Sequence, residues 1–220
     1  MDLTQQIDIY CERLGPGLWA EPWNALTNLA FLVGAAWAAS RLRGQRLPYA
    51  WAMAAFLALI GIGSGLFHTF ATTWAVIADV TPILGFVLTV ILATVRTLLR
   101  WPLWLSILAT VGFFPYAAAG SWAAVQIPAL AISASYWPIF ALILAVAFAI
   151  RGIAPIFARG LAVVGALLLL SLTFRSIDET LCAHLPHGTH FLWHLLNATL
   201  LSLVIDAYRR QMLASPRAPR

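Results

Sequence analysis

Three histidines carry the candidate chemistry of this chain. His190 and His194 stand four apart, and His68 follows Ser64 by four positions, with Asp79 eleven residues further on. Residues four apart lie on one face of a helix, so each pair projects to one side. Two imidazoles from one helix and a third from another make the three-ligand set of a catalytic zinc site, which keeps a fourth position for water. Zinc lowers the pKa of that water to about 7. No glutamate follows His190 as in the soluble His-Glu-x-x-His helix. Asp79 is therefore the candidate base that takes the water's proton and returns it to a leaving amine, and Ser64 the candidate hydrogen-bond donor to the developing oxyanion.

Each residue also has a plainer reading. A single histidine near a helix end serves as an interfacial hydrogen-bonding group; the three taken together point to a metal. Asp79 before an apolar run is equally a good N-cap. Ser64 lies among Gly61, Gly63 and Gly65, a pattern that lets helices pack closely. His184 and His187 lie in a loop and read as solvated, and Asp206 is expected to pair with Arg209 or Arg210.

The elements that must position these groups are membrane helices. The chain has 220 residues, 62% apolar and 10% charged, with mean hydropathy +0.87, whereas soluble domains are about half apolar and a quarter charged. A bilayer core of about 30 Å needs roughly 20 apolar residues per helix. Seven segments approach that length: 24–40, 49–67, 80–98, 103–119, 125–150, 153–173 and 191–208. The uncharged stretch from Trp101 to Ile150 is too long for one span, and Gly120-Ser121 is the expected turn within it. Pro115, Pro128 and Pro138 lie near or inside these segments, where membranes tolerate kinks. The expectation is one all-α domain over residues 1–220, a seven-transmembrane-helix bundle with short connectors.

All thirteen basic residues are arginine, giving a net charge of +5 and a pI near 9.9. Such a balance suggests nucleic acid on composition alone, but eleven of the thirteen sit at alternate ends of the apolar segments. Arg41, Arg43, Arg46, Arg96, Arg100, Arg151, Arg159, Arg209, Arg210, Arg217 and Arg220 share one side, the expected cytoplasm. Arg13 and Arg175 fall opposite, with Asp2, Asp8, Glu12, Glu21, Asp178 and Glu179. Residues 1–23 become an external segment and 209–220 a basic cytoplasmic tail, so the N-terminus is outside and the C-terminus inside. The polar start lacks the basic and apolar regions of a signal peptide, and the first apolar helix is expected to direct insertion. The same topology brings Ser64, His68, Asp79, His190 and His194 to one depth near the outer leaflet.

Beyond the residues themselves, the chain resembles the alkaline ceramidases, within the membrane hydrolases that include the adiponectin and progestin receptors. The resemblance covers nearly the whole chain. It rests on Tyr10-Cys11-Glu12, Ala20-Glu21-Pro22-Trp23-Asn24 with Thr27-Asn28, Ser64-x-x-x-His68 with Asp79, Cys182, and His190-x-x-x-His194. It implies zinc at His68, His190 and His194, catalytic Asp79 and Ser64, and hydrolysis of ceramide to sphingosine and fatty acid. It also implies a disulfide from Cys11 to Cys182 and an N-terminal calcium site, for which Glu12 and Glu21 match two carboxylates. The aspartate of that family pattern is replaced by Ile9, with Asp8 displaced by one, and the segment between Glu12 and Glu21 is shorter. The other reading has Glu12 and Glu21 solvated or paired with Arg13.

Two function classes follow: a zinc amidase acting on ceramide or another N-acyl lipid, and a heptahelical receptor or sensor with a structural metal. A retinal pump is excluded, because the chain has no lysine for a Schiff base. The partners expected are a lipid substrate and the membrane, not nucleic acid.

Overall fold

The structure is a computed structural model that describes residues 2–214. Among those residues the secondary structure is helical, with no strands. In chain order the helices are α1 (Pro22–Thr27), α2 (Leu29–Leu42), α3 (Pro48–Phe70), α4 (Thr73–Ala93), α5 (Leu103–Val111), α6 (Phe113–Val125), α7 (Pro128–Ala131), α8 (Trp137–Ala149), α9 (Pro155–Leu181) and α10 (His190–Ala214). A π-helical turn, Thr94–Leu98, extends α4, and a 3₁₀ turn, Ala134–Tyr136, leads into α8. Proline occupies the first turn of α1, α3, α7, α8 and α9, where its missing N–H would have no helical partner anyway.

Among the described residues six helical stretches are long and apolar enough to cross a membrane: Pro22–Leu42, Pro48–Phe70, Thr73–Leu98, Leu103–Val125, Pro155–Leu181 and His190–Ala214. This is the composition of an integral membrane protein. The apolar helix Ala134–Ala149 is shorter, roughly 24 Å at 1.5 Å per residue against about 30 Å of hydrocarbon.

The expected single helix over 125–150 is therefore broken. Pro128 opens α7 and Pro138 stands second in α8, first-turn positions that suit a residue without an N–H and that a helix continuing from the preceding segment would not give it. Gly120 is not a turn either: it lies inside α6, where an added Cβ would approach Pro138 Cγ to 2.7 Å. Its small size serves close packing, and the chain turns at Gln126–Ile127 instead.

Helix α10 is the centre of the bundle, packed against α9, α2, α3 and α1, while α3 and α4 form a tight antiparallel pair. Leu42, Met53, Leu57, Phe86, Phe157, Leu172, Ile205 and Tyr208 are fully buried between these helices. Val33, Trp104, Trp122 and Phe148 lie on the outside and are more than half exposed, as a lipid-facing surface requires. Arg217 and Arg220 lie outside the described residues.

Candidate metal centre

Three of the helices that begin at the end of the bundle holding the histidines, α1, α4 and α10, lie closest to them, and a helix start leaves backbone N–H groups without partners. All three are capped from distant parts of the chain. At α1, the Glu12 carboxylate accepts the N–H of Trp23 at 2.7 Å and of Asn24 at 2.8 Å. At α4, the carbonyls of Gln5 and Leu3 accept the N–H of Thr73 and Trp74. At α10, Asp178 Oδ1 accepts the N–H of Thr189 at 2.6 Å and of His190 at 2.8 Å, while its Oδ2 accepts that of Cys11 at 3.0 Å. Residues 3–13 thus strap across the helix ends. Cys11 and Cys182 are joined, with Cα atoms 5.4 Å apart, which ties the strap to the end of α9.

Under this strap the three histidines converge. His68 sits in the last turn of α3, His190 opens α10 and His194 follows one turn later, and all three are buried. Their ligand nitrogens lie within 4.8 Å of one another, a group able to hold a metal ion. His68 Nδ1 donates to Glu21 Oε2 at 2.6 Å. The Thr27 hydroxyl donates to the Trp23 carbonyl at 2.8 Å, so its oxygen accepts from His194 Nδ1 at 2.9 Å. Both bonds leave Nε2 as the nitrogen with a free lone pair. His194 Nε2 and His190 Nδ1 are buried without a hydrogen-bond partner, a costly state unless something else supplies one. A metal ion fits that need.

Ser64 and Asp79 meet beside the cluster. Asp79 is the seventh residue of α4, because the helix begins at Thr73, where the strap's carbonyls cap it. It is therefore not an N-cap, and its carboxyl lies against the Ser64 hydroxyl and near His68. Gly63 makes this possible. A Cβ there would overlap the Ala78 carbonyl and come within 3.1 Å of Asp79 N, so only glycine lets the α3 and α4 backbones touch.

Tyr10 covers the opposite side, its ring stacked on His190 with centroids 3.7 Å apart. Burial raises its phenol well above the ordinary range, which outweighs the lowering by nearby Arg175. At neutral pH it is a neutral hydrogen-bonding group. The Arg175 guanidinium lies 5.4 Å from the Tyr136 ring and 5.6 Å from that of Trp193, and Nη1 donates to the Ile132 carbonyl at 2.6 Å.

A cavity of about 340 Å³ opens from Tyr10, Ser64, Asp79, His190 and His194 and runs between the helices to Val95 and Trp101. Along α4 this is roughly 24 Å at 1.5 Å per residue. Apart from its head, its walls are almost wholly apolar.

The other expected residues take varied places. Asp8, His184 and His187 are exposed. Asp206 accepts from Arg209 at 2.7 Å and lies 3.9 Å from Arg41. Glu12 is a helix cap, and Glu21 pairs with Arg13 and His68. Tyr10, Thr27, Arg175 and Asp178 belong to the site although no spacing in the sequence marks their roles. Pro22 in the first turn of α1 is the signal that could have shown Trp23 and Asn24 to need a cap. No protein-family model matches this chain, and no curated protein matches it significantly.

Proposed function

We propose that the chain is a zinc-dependent membrane amidase that hydrolyses ceramide or a related N-acyl lipid, in the manner of the alkaline ceramidases. The observation that carries this reading is a buried three-histidine cluster, set with Ser64 and Asp79 at the polar head of a long apolar cavity. Three imidazoles without a thiolate suit zinc, with His68, His190 and His194 as its ligands. When bound, zinc supplies a water of lowered pKa and polarises a carbonyl.

The chain's own residues do the rest. The cavity's apolar walls take the acyl chain, which leaves the amide carbonyl beside Ser64. Ser64 donates a hydrogen bond to the carbonyl oxygen as charge develops there. Asp79 takes the proton of the attacking water as its oxygen bonds to the carbonyl carbon. It then delivers that proton to the amide nitrogen as the carbon–nitrogen bond breaks. The products are a fatty acid and a free amine such as sphingosine. Tyr10 and the strap shield the head of the cavity from bulk water.

In this reading Ala134–Ala149 completes a seventh crossing, so the two termini lie on opposite sides. Eleven arginines assign the C-terminal side to the cytoplasm, and the histidine end then faces the periplasm, the exterior or an organelle lumen. There the Cys11–Cys182 bond persists under oxidising conditions.

The test is mass spectrometry of the purified protein incubated with a panel of N-acyl lipids, with and without a zinc chelator. Chelator-sensitive release of fatty acid is expected. A zinc-loaded protein that cleaves no lipid of the panel would instead be a receptor or sensor with a structural metal.

A further inference from the structure

The resemblance that suggests zinc also suggests calcium in the N-terminal segment, and the residues there do not fit it. Calcium takes six to eight oxygen ligands. Both oxygens of Glu12 are engaged by the backbone of α1, and Asp8 is exposed. Glu21 gives Oε1 to Arg13 Nε and Oε2 to His68 Nδ1 and Asn24 Nδ2. Asn24 Oδ1 and Asn28 Oδ1 are buried without partners, but two neutral oxygens do not make a dication's shell.

A cation is nevertheless present. Arg13 is only 5% exposed, and a buried guanidinium requires partners in several directions. It has four. Besides the Glu21 carboxylate at Nε, Nη1 donates to the Gly15 carbonyl at 2.9 Å and, at 3.5 Å, to that of Gly17. Nη2 donates to the His68 carbonyl at 3.1 Å. The acceptors come from the Gly15-Pro16-Gly17 turn, the start of α1 and the end of α3. These are a carboxylate and three carbonyls arranged round one positive charge, the chemistry by which a hard cation organises a loop.

We propose that the Arg13 guanidinium is the built-in cation of this strap, so that the chain holds its N-terminal segment over the histidine cluster without calcium. Arg13 then acts as a positioning residue for His68. It fixes the Glu21 carboxylate that orients the His68 ring, and it also grips the His68 backbone carbonyl. A planar fork with five donors makes all four contacts at once, whereas a lysine ammonium with three donors does not reach this arrangement.

The test uses the full-length protein in detergent, with free zinc held constant by a metal buffer, and does not depend on any hydrolytic activity. The wild type is expected to bind no stoichiometric calcium in equilibrium dialysis and to melt at the same temperature with and without millimolar calcium. Arg13→Gly is expected to melt lower and to bind zinc about tenfold to a hundredfold more weakly. Added ethylguanidinium should restore both, while an equal concentration of urea should not, and Arg13→Lys should recover only part of the loss. One calcium ion bound per wild-type chain, or melting that rises on adding calcium, would overturn the proposal. So would an Arg13→Gly protein with unchanged melting and zinc affinity. If the glycine variant fails to fold, the wild-type calcium measurements still decide.

Discussion

Glu21 Oε2 lies 2.6 Å from His68 Nδ1, although 47 positions separate the two residues. A carboxylate on the far nitrogen of a metal-ligating histidine sets the tautomer and ring orientation, and such partners are worth about tenfold to a hundredfold in metal affinity. Thr27 does the same for His194 with a neutral oxygen. Thr27→Val keeps the shape and removes that acceptor together with the hydroxyl's own bond to the Trp23 carbonyl. It should lower zinc affinity by about tenfold with little change in melting temperature, as read by competition with a chromophoric chelator. Glu21→Gln should lower affinity further and also destabilise the fold, because it leaves the Arg13 charge buried without its counter-ion.

The sign of the pH dependence follows from the same carboxylate. Burial pushes Glu21 up, but its bonds to His68 and Arg13 outweigh that and hold it below its ordinary value of 4.5. A lowered folded pKa means that the unfolded chain binds the proton more readily. The stabilisation is therefore complete above pH 4.5 and is lost as the pH falls from there through the folded value. Acid melting curves should show this loss in the wild type and a weaker one in Glu21→Gln.

Much of the site is legible in the sequence because it is local. The spacing of His190 and His194, and of Ser64 and His68, survives into the structure because each pair rides on one helix. What the sequence conceals is contact between distant segments. Glu21 reaches His68 across 47 positions, while Thr27 reaches His194, and Asp178 reaches Cys11, across 167. The resemblance implies one ion for Glu12 and Glu21, and the other reading has them solvated or paired with Arg13; Glu12 caps α1, while Glu21 pairs with Arg13 and bonds to His68. Gly120 reads as a turn because glycine serves both turns and tight packing, and only Pro138 lying against it distinguishes the two. Asp79 reads equally as a base or as a cap, because the true start of α4 is capped by carbonyls of residues 3 and 5, a role no side-chain type announces.

Asp178 accepts three backbone N–H groups, and each buried donor left unsatisfied costs on the order of 1–3 kcal/mol. Asp178→Ala should destabilise the protein by about 3 kcal/mol or more and free the strap and the start of α10 together. Faster amide exchange at Cys11, Thr189 and His190 in the same variant would verify that one carboxylate holds all three.

Gly63→Ala tests the contact that unites Ser64 and Asp79. The added methyl must push α3 from α4, and overpacking of this kind costs about 1–3 kcal/mol. Hydrolysis should fall while zinc content stays unchanged, since no histidine moves to another helix. A variant with normal turnover would show that the close approach of the two backbones is not needed for the chemistry.

Reduction of the Cys11–Cys182 bond should loosen the strap without removing the bundle. The expected loss is about 2–4 kcal/mol. Limited proteolysis before and after reduction would show new cleavage confined to the strap, residues 3–13.

The most direct measurement determines zinc content and fatty-acid release on the same purified samples of wild type and Asp79→Asn. The substitution preserves size and leaves His68, His190 and His194 in place. Wild type should carry one zinc ion per chain and cleave an N-acyl lipid, while Asp79→Asn should keep the zinc and cleave at least about a hundredfold more slowly. A zinc-loaded Asp79→Asn protein that cleaves at the wild-type rate, or a zinc-loaded wild type that releases no fatty acid, would contradict the account.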